Sequence, residues 1–453
     1  MYQELLSKHQ TFFQSNMTKN YHFRIQALKS LKHAIIKNEE RIKEALYLDL
    51  GKSYNESYVT EIGVVLKEIS FHIKHLKSMM KIKKVKTPLT LFPAKSYLYP
   101  EPLGTVLVIS PWNYPFLLAI NPLVGAISAG NTVILKPSEV ATNMERVLQE
   151  LINETFKEEY AKVVLGGVSE TNTLLDNKFD YIFFTGSPLV GKIIMEKASK
   201  YLTPVTLELG GKSPAIIYES KDLRLTAKRI AYGKLLNAGQ TCIAPDYVMI
   251  QKESYNDFID YYKQSIMDFY GKDCLNNNDY PKIINKKHFE RLMSYLDNEE
   301  IVYGGEALNN KLSPTVVKVN SLETRIMQEE IFGPILPIII YDKFSEVYDY
   351  LRNKEKPLAL YLFTDNKKIV KDVILKTSSG GVVINDTIMH FVNTNLGFGG
   401  VGNSGMGKYH GGESFKTFSH FKAIVNRKTW LDVKMRYHPL TDDKIKVIKK
   451  IMK

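Results

Sequence analysis

Cysteine is nearly missing. Cys242 and Cys274 are the only two, and no CxxC pair occurs. A disulfide framework is therefore excluded, and a reducing, cytoplasmic compartment is expected. A long uninterrupted apolar run is also missing. The longest apolar region, 104–135, is broken by Pro111, Asn113, Pro115, Asn121 and Pro122, which rules against a transmembrane helix. Glu4 and Lys8 interrupt the first residues and no apolar segment follows, so no signal peptide is expected.

Acid is in short supply, with 48 Asp and Glu against 61 Lys and Arg, a formal net charge of +13. Such a balance raises nucleic acid or an anionic membrane as partners. The excess is concentrated: residues 427–453 hold nine Lys or Arg against three Asp, and Lys74 to Lys86 hold six lysines and no acid. Neither segment interleaves aromatics with basic residues as base stacking requires, so solvated faces are the plainer reading and no nucleic-acid partner is expected. The last segment, with Ile445, Val447, Ile448, Ile451 and Met452 among lysines, reads as a short cationic amphipathic helix. Only weak peripheral membrane contact is expected of it.

What remains is an ordinary globular composition, 44% apolar and 24% charged, in 453 residues, enough for two or three domains. Residues 1–85 read as mostly helical, with Ile62, Leu66, Ile69, Ile73 and Leu76 on one helical face and Asp49-Leu50-Gly51 as a glycine-closed helix end. Residues 89–103, with prolines at 93, 100 and 102, read as an extended edge arm that reaches a partner subunit. From Gly104 apolar runs at 105–109, 132–135, 162–165, 181–184 and 205–209 alternate with helix-sized segments, which argues for a parallel sheet covered on both faces. Its ligands would meet the loops 110–116, 136–139, 185–191 and 208–212 at the strands' carboxyl ends. A second α/β region spans 212–388, with strands expected at 215–218, 246–250, 335–341, 359–363 and 381–385. The glycines of Phe398–Gly407 imply close backbone approach.

Several stretches carry chemistry, each with a plainer rival. Cys242, in NAGQTCIAP, sits among polar and turn-forming neighbours rather than in a core pattern. FFTGSPLVGK follows a strand and opens a helix, where free N–H groups favour phosphate; an ordinary glycine turn is the rival. A P-loop needs Ser or Thr after the lysine to bind magnesium, and Ile193 stands there, so a nucleotide triphosphatase is disfavoured and no metal site is expected. Lys136 and Glu139, at a strand's end, can hydrogen-bond a ribose or simply belong to a helix start capped by Ser138. Glu208 lies late in an apolar strand, where desolvation suits a general base; an ion pair with Lys212 is the rival. Asn113 can donate to an oxyanion or merely belong to a proline-framed turn, and Glu330 with Phe332 can be explained by helix termination.

Taken in order, PWNYPF, LKPSE, FTGS…G, LELGGKSP, GQTC, EEIFGP and FGGVGNSGMGKYHG closely resemble the NAD(P)-dependent aldehyde dehydrogenase family over essentially the whole chain. A start close to the first sheet helices, without the longer N-terminal extension of tetrameric members, and FGGVGNSGMGKYHG…SFKTFSH near the end resemble its class 3, fatty-aldehyde branch, whose members are typically dimers. The resemblance implies an α/β aldehyde dehydrogenase-like fold: two parallel-sheet Rossmann-type domains and a small β oligomerisation arm. It divides the chain into 1–86 with 104–209 for NAD(P) binding, 210–388 for catalysis, 87–103 with 389–425 for the arm, and 426–453 as a basic end. It makes Cys242 the nucleophile, Asn113 an oxyanion donor and Glu208 the base that activates water. Cofactor contacts fall to Lys136 and Glu139 on the adenosine ribose and to Thr185, Gly186, Ser187 and Gly191 at the pyrophosphate and nicotinamide. Glu330 would hold the nicotinamide ribose, with Phe332 beside it, and Pro111, Trp112 and Leu209 would line the cofactor site. NAD or NADP is the implied cofactor, an apolar aldehyde the substrate and a homodimer the assembly. Gly397 and Pro188 depart from the family pattern, the second inside the phosphate turn. Relatives that acylate coenzyme A lack the LELGG-type glutamate, so Glu208 implies hydrolysis.

Overall fold

Apolar runs rich in β-branched and aromatic residues become strands that are buried on both faces, as a helix-covered parallel sheet requires. The computed structural model describes residues 2–452; Met1 and Lys453, the outer ends of the expected terminal segments, lie outside the described residues. Five runs form a parallel sheet in the order Val205–Glu208, Tyr181–Thr185, Thr105–Ile109, Thr132–Lys136, Ala161–Val163. The order reverses between Tyr181–Thr185 and Thr105–Ile109, and the carboxyl ends of that pair form a crevice of the kind that takes ligands. A sixth strand comes from the glycine-rich stretch: Gly405–Met406 pairs antiparallel with Glu208 and Leu207 and closes the sheet's edge.

The second sheet runs Glu300–Tyr303, Thr315–Lys318, Ile335–Tyr341, Tyr247–Gln251, Pro214–Ile217, Ala359–Phe363, Gly381–Ile384. All five strands expected in 212–388 are there. Glu300–Tyr303 and Thr315–Lys318 go beyond them; the first is a solvent-facing antiparallel edge whose apolar run, Ile301-Val302-Tyr303, is short.

The arm departs from its expected place. Ala94–Pro102 is not an edge but the middle of three strands, between Lys83–Val85 and Ser419–Arg427. The prolines are still accommodated at an edge. Lys83–Val85 pairs only with Ser96–Leu98, so Pro100 and Pro102 lie beyond its end with one side free.

The N-terminal helices pack on the first sheet. Glu39–Leu50 ends on Gly51 at φ 63, as Asp-Leu-Gly predicts. Gly63–Met79 follows a π-turn and buries Val65, Ile69, His72 and Leu76, with Leu66 and Ile73 half-buried. The helix Leu117–Ala129 is buried at every residue and contains Pro122. Its start is fixed by Glu61, whose Oε2 accepts the N–H groups of Phe116 and Leu117, each at 3.0 Å. Lys52 Nζ donates to the other oxygen at 2.6 Å, and neither side chain is exposed. A carboxylate there answers both the unpaired N–H groups and the helix dipole. No helix among the described residues is long and apolar enough to cross a membrane.

Lys52→Met leaves Glu61 buried and unpaired, so it should cost about 3 kcal/mol in urea-induced unfolding. Lys52→Met with Glu61→Gln should cost less than Lys52→Met alone, because an amide oxygen still accepts from the helix without carrying charge.

Candidate active site

The chain crosses from the first sheet to the second between Glu208 and Pro214, through Gly210, Gly211 and Lys212. Along this crossing lies a cavity of about 1070 Å³. Pro111, Trp112, Asn113, Thr185, Gly186, Ser187, Glu208 and Leu209 line it from the first sheet, and Cys242, Glu330 and Phe332 from the second. The first sheet contributes carboxyl ends, as expected. The second contributes amino ends: Cys242 precedes Tyr247–Gln251, and Glu330 and Phe332 precede Ile335–Tyr341. Lys136, Glu139 and Gly191 are not among the lining residues.

The loop before Cys242 has left-handed backbone at three successive residues, Asn237 (φ 53), Ala238 (φ 50) and Gly239 (φ 75). For Ala238 this costs on the order of 1 kcal/mol, so neighbours must hold it. Asn237 N–H donates to Glu56 Oε1 at 2.8 Å, and its amide donates to Asn113 O at 2.8 Å. Buried Gln240 donates to Asn237 O at 3.0 Å and Lys282 O at 3.1 Å, while its Oε1 accepts from Ile284 N–H at 3.0 Å. Asn113 Nδ2 donates one hydrogen to Gln240 O at 3.0 Å, which leaves the second hydrogen of the amide. At Gly239 a side chain would strike the carbonyl of Gly333. This clamp escaped the sequence reading, although Gln240 stands within GQTC: a polar side chain beside the candidate nucleophile, if buried, must be fully bonded.

Cys242 is half-buried and free. Burial pushes its thiol up, and Glu330 and then Glu208 add to the shift; N–H groups at Cys242 and Ile243 act the other way. Glu208 is buried and neither of its oxygens has a hydrogen-bond partner. Burial alone raises its carboxyl well above the usual range. The rival ion pair is absent: Lys212 pairs with Asp246 instead and also donates to Ile326 O and Glu329 O. A methyl group at Gly399 would lie 3.1 Å from Glu208 Oε1, so the glycine-rich stretch forms the wall behind this acid.

Glu330 Oε1 accepts from Gly211 N–H at 3.1 Å, and burial raises its pKa to about 8. Phe332 follows at φ 51, an outlier for an aromatic residue, held by Ile331 N–H on Asp246 Oδ1 at 2.9 Å. Its ring lies edge-on to Trp112 at 5.4 Å, and His288, a further lining residue, packs 4.8 Å from the same indole.

The remaining candidate cofactor residues fit a dinucleotide. Thr185 lines the cavity, and its buried Oγ1 has no hydrogen-bond partner. Ser187 caps the helix Pro188–Ser199, so Pro188 is its first residue rather than part of a phosphate turn. Gly191 lies under the wall, where a side chain would press on Leu209 at 2.8 Å. Lys136 Nζ donates to Pro137 O at 2.6 Å and lies 3.8 Å from the Glu139 carboxylate, at the carboxyl end of the neighbouring strand.

Comparison with known proteins gives the arrangement a lineage. The model of the aldehyde dehydrogenase family matches residues 6–424. The chain is 48% identical over 446 residues to 4,4'-diaponeurosporen-aldehyde dehydrogenase of Staphylococcus aureus, covering 98% of this chain and 97% of that one. It is 45% identical to the dimeric NADP-preferring aldehyde dehydrogenase of Rattus norvegicus, covering 94% of this chain and 95% of that one. A substrate-bound structure of Staphylococcus aureus AldH superposes with a TM-score of 0.98 at 46% identity, each chain covered fully.

Glu330 gives a stability test. Below about pH 4.5 its carboxyl is neutral in folded and unfolded chains alike, and between about 4.5 and 8 only the unfolded chain ionises. This destabilises the fold as pH rises. Glu330→Gln removes the effect, so its Tm should exceed that of the parent by a margin that widens from pH 5 to pH 8 in thermal scans.

By sequence and by fold, the chain belongs to the aldehyde dehydrogenase family, with its class 3 members, and is an oxidoreductase acting on the aldehyde group.

Proposed function

We propose that the protein oxidises an apolar aldehyde, medium- or long-chain aliphatic or aromatic, to its carboxylic acid with NAD or NADP. The observation that carries this reading is the meeting of Cys242, Glu208 and Asn113 on one cavity. Trp112, Leu118, Leu209 and Phe332 make much of its wall apolar, which suits such a substrate.

Cys242 passes its proton to water in the cavity as its sulfur adds to the carbonyl carbon, giving a thiohemiacetal. Because burial holds the thiol protonated, proton removal must accompany the approach of substrate. The spare amide hydrogen of Asn113 and the Cys242 N–H donate to the oxyanion, in a site already shaped by the Gln240 clamp. Bound NAD or NADP, held at its nicotinamide end by Glu330 and Phe332, would supply the hydride acceptor that turns the thiohemiacetal into a thioester on Cys242. Glu208, unpartnered and with raised proton affinity, takes a proton from water as that water attacks the thioester, and the acid departs with Cys242 restored.

Glu330 and Phe332 hold the nicotinamide riboside end. Thr185, Gly186 and Ser187 receive the pyrophosphate, and Lys136 and Glu139 the adenosine ribose. Residues 1–86 and 104–209 serve cofactor binding, 210–388 catalysis, and 87–103 with 389–425 assembly. The assembly is a homodimer, supported by the exposed outer edge of Ser419–Arg427, which offers nine residues for pairing. Two free, half-buried thiols suit a cytoplasmic setting.

Reduced-cofactor formation with decanal, from NAD and from NADP, tests the reading. Cys242→Ala should abolish turnover, and persistence of turnover would overturn the mechanism. Glu208→Gln should keep the first burst of reduced cofactor and lower steady-state turnover by at least about a hundredfold, the size of a lost general base.

A further inference from the structure

Three ties run from one short segment, residues 48–61, to the loop that carries Cys242. The first is indirect. Leu50 O accepts from Lys282 N–H and Leu48 O from Lys282 Nζ, both at 2.8 Å, and Lys282 O receives the Gln240 amide. The second passes through Tyr114, whose hydroxyl meets Thr241 Oγ1 at 2.7 Å while Lys52 Nζ lies 4.2 Å from the centre of its ring. The third is direct: Glu56 Oε1 accepts the Asn237 N–H at 2.8 Å, from 181 positions away in the chain. Glu56 does so from outside the cavity, which it does not line.

Its own backbone is fixed on both sides. Ser53 caps the turn Tyr54–Ser57 and accepts Glu56 N–H at 3.3 Å, and Thr60 Oγ1 donates to Glu56 O at 2.7 Å. A carboxylate is a costly choice for this post. Glu56 is half-buried, and burial raises its pKa to about 7; Lys52 and the Asn237 N–H pull the other way, while Glu61 and Asp279 add to the rise. The other titratable groups facing it are phenols: Tyr114, Tyr232 on the helix Leu223–Leu235, and Tyr270 at the end of Tyr255–Tyr270. All three are raised from their ordinary value and stay uncharged near neutral pH. Of these groups only Lys52 is a cation, and it is already paired with Glu61. Glutamine would accept the same N–H without the cost of ionisation. What the carboxylate adds is strength, because a charge-assisted hydrogen bond is roughly twice as strong as a neutral one. The load it bears is the left-handed backbone at Asn237 and Ala238.

We infer that Glu56 is a positioning residue for Cys242: its ionised carboxylate pins the left-handed loop and so fixes the two donors that receive the oxyanion, the Cys242 N–H and the Asn113 amide. Asn237 carries the hold to both, since its side chain donates to Asn113 O at 2.8 Å and to Gln240 O at 3.2 Å. Protonation of Glu56 slackens the loop and slows acylation of Cys242. The inference rests on the mechanism proposed above.

The test compares the full chain with Glu56→Gln and Glu56→Ala. By mass spectrometry, deuterium exchange over residues 236–242 should quicken by roughly tenfold or more in Glu56→Ala and by less in Glu56→Gln. With decanal and NAD, the first burst of reduced cofactor should slow by roughly tenfold to a hundredfold in Glu56→Ala and recover most of the way in Glu56→Gln. The burst rate of the parent should rise through an inflection near pH 7 that Glu56→Gln lacks, while steps owed to Cys242 and Glu330 remain in both. Folding raises the pKa of this acid, so its ionised form costs stability above that pH, and Glu56→Gln should melt no lower than the parent at about pH 8. Unchanged exchange in Glu56→Ala overturns the inference, and so does an unchanged burst. A burst rate and Tm that fall together in Glu56→Gln would also overturn it, making Glu56 a support of the fold alone. A parent that gives no burst with NAD or NADP would sink the reaction proposed above, and the exchange would still decide whether Glu56 holds the loop.

Discussion

A buried amide holds the reactive loop in shape. Gln240 spends both polar ends of its side chain on backbone groups, and its own carbonyl receives the amides of Asn113 and Asn237. Without it, three consecutive left-handed residues would have no reason to persist, since Ala238 prefers an ordinary helical or extended backbone. The proposed nucleophile, the proposed oxyanion donor and the loop that carries Cys242 are thus set by one network before any ligand arrives. Such preorganisation is what makes dipoles effective at a reacting centre.

The electrostatics of the cavity follow from how little water reaches it. Glu208 and Glu330 are both raised by burial, and both raise Cys242 in turn. Negative charge on either carboxylate makes the thiol harder to ionise, so the three groups titrate as a coupled set.

Much of this was legible in the chain itself, for stated physical reasons. Parallel strands announce themselves as continuous apolar runs, and Thr105–Ile109, Thr132–Lys136 and Tyr181–Thr185 stand where such runs end in turn residues. Glu208 was conspicuous because a carboxylate in such a run is costly. The rest depended on distance in space. Glu300–Tyr303 escaped because its apolar run, Ile301-Val302-Tyr303, is short and sits at a partly exposed edge. The middle position of Ala94–Pro102 was hidden because pairing with Ser419–Arg427 spans more than three hundred residues. Asp246 as the partner of Lys212 was likewise hidden, and the nearer Glu208 looked the better match.

The stretch from Glu208 to Pro214 is the sheets' direct covalent link beside the cavity, and it is short. One end carries Glu208, its middle supplies the N–H that holds Glu330, and Lys212 ties the far end to Asp246. Any widening of the gap between the sheets must therefore pull on Glu208 and on Glu330 at once, so that opening of the cleft and displacement of both carboxylates are a single motion.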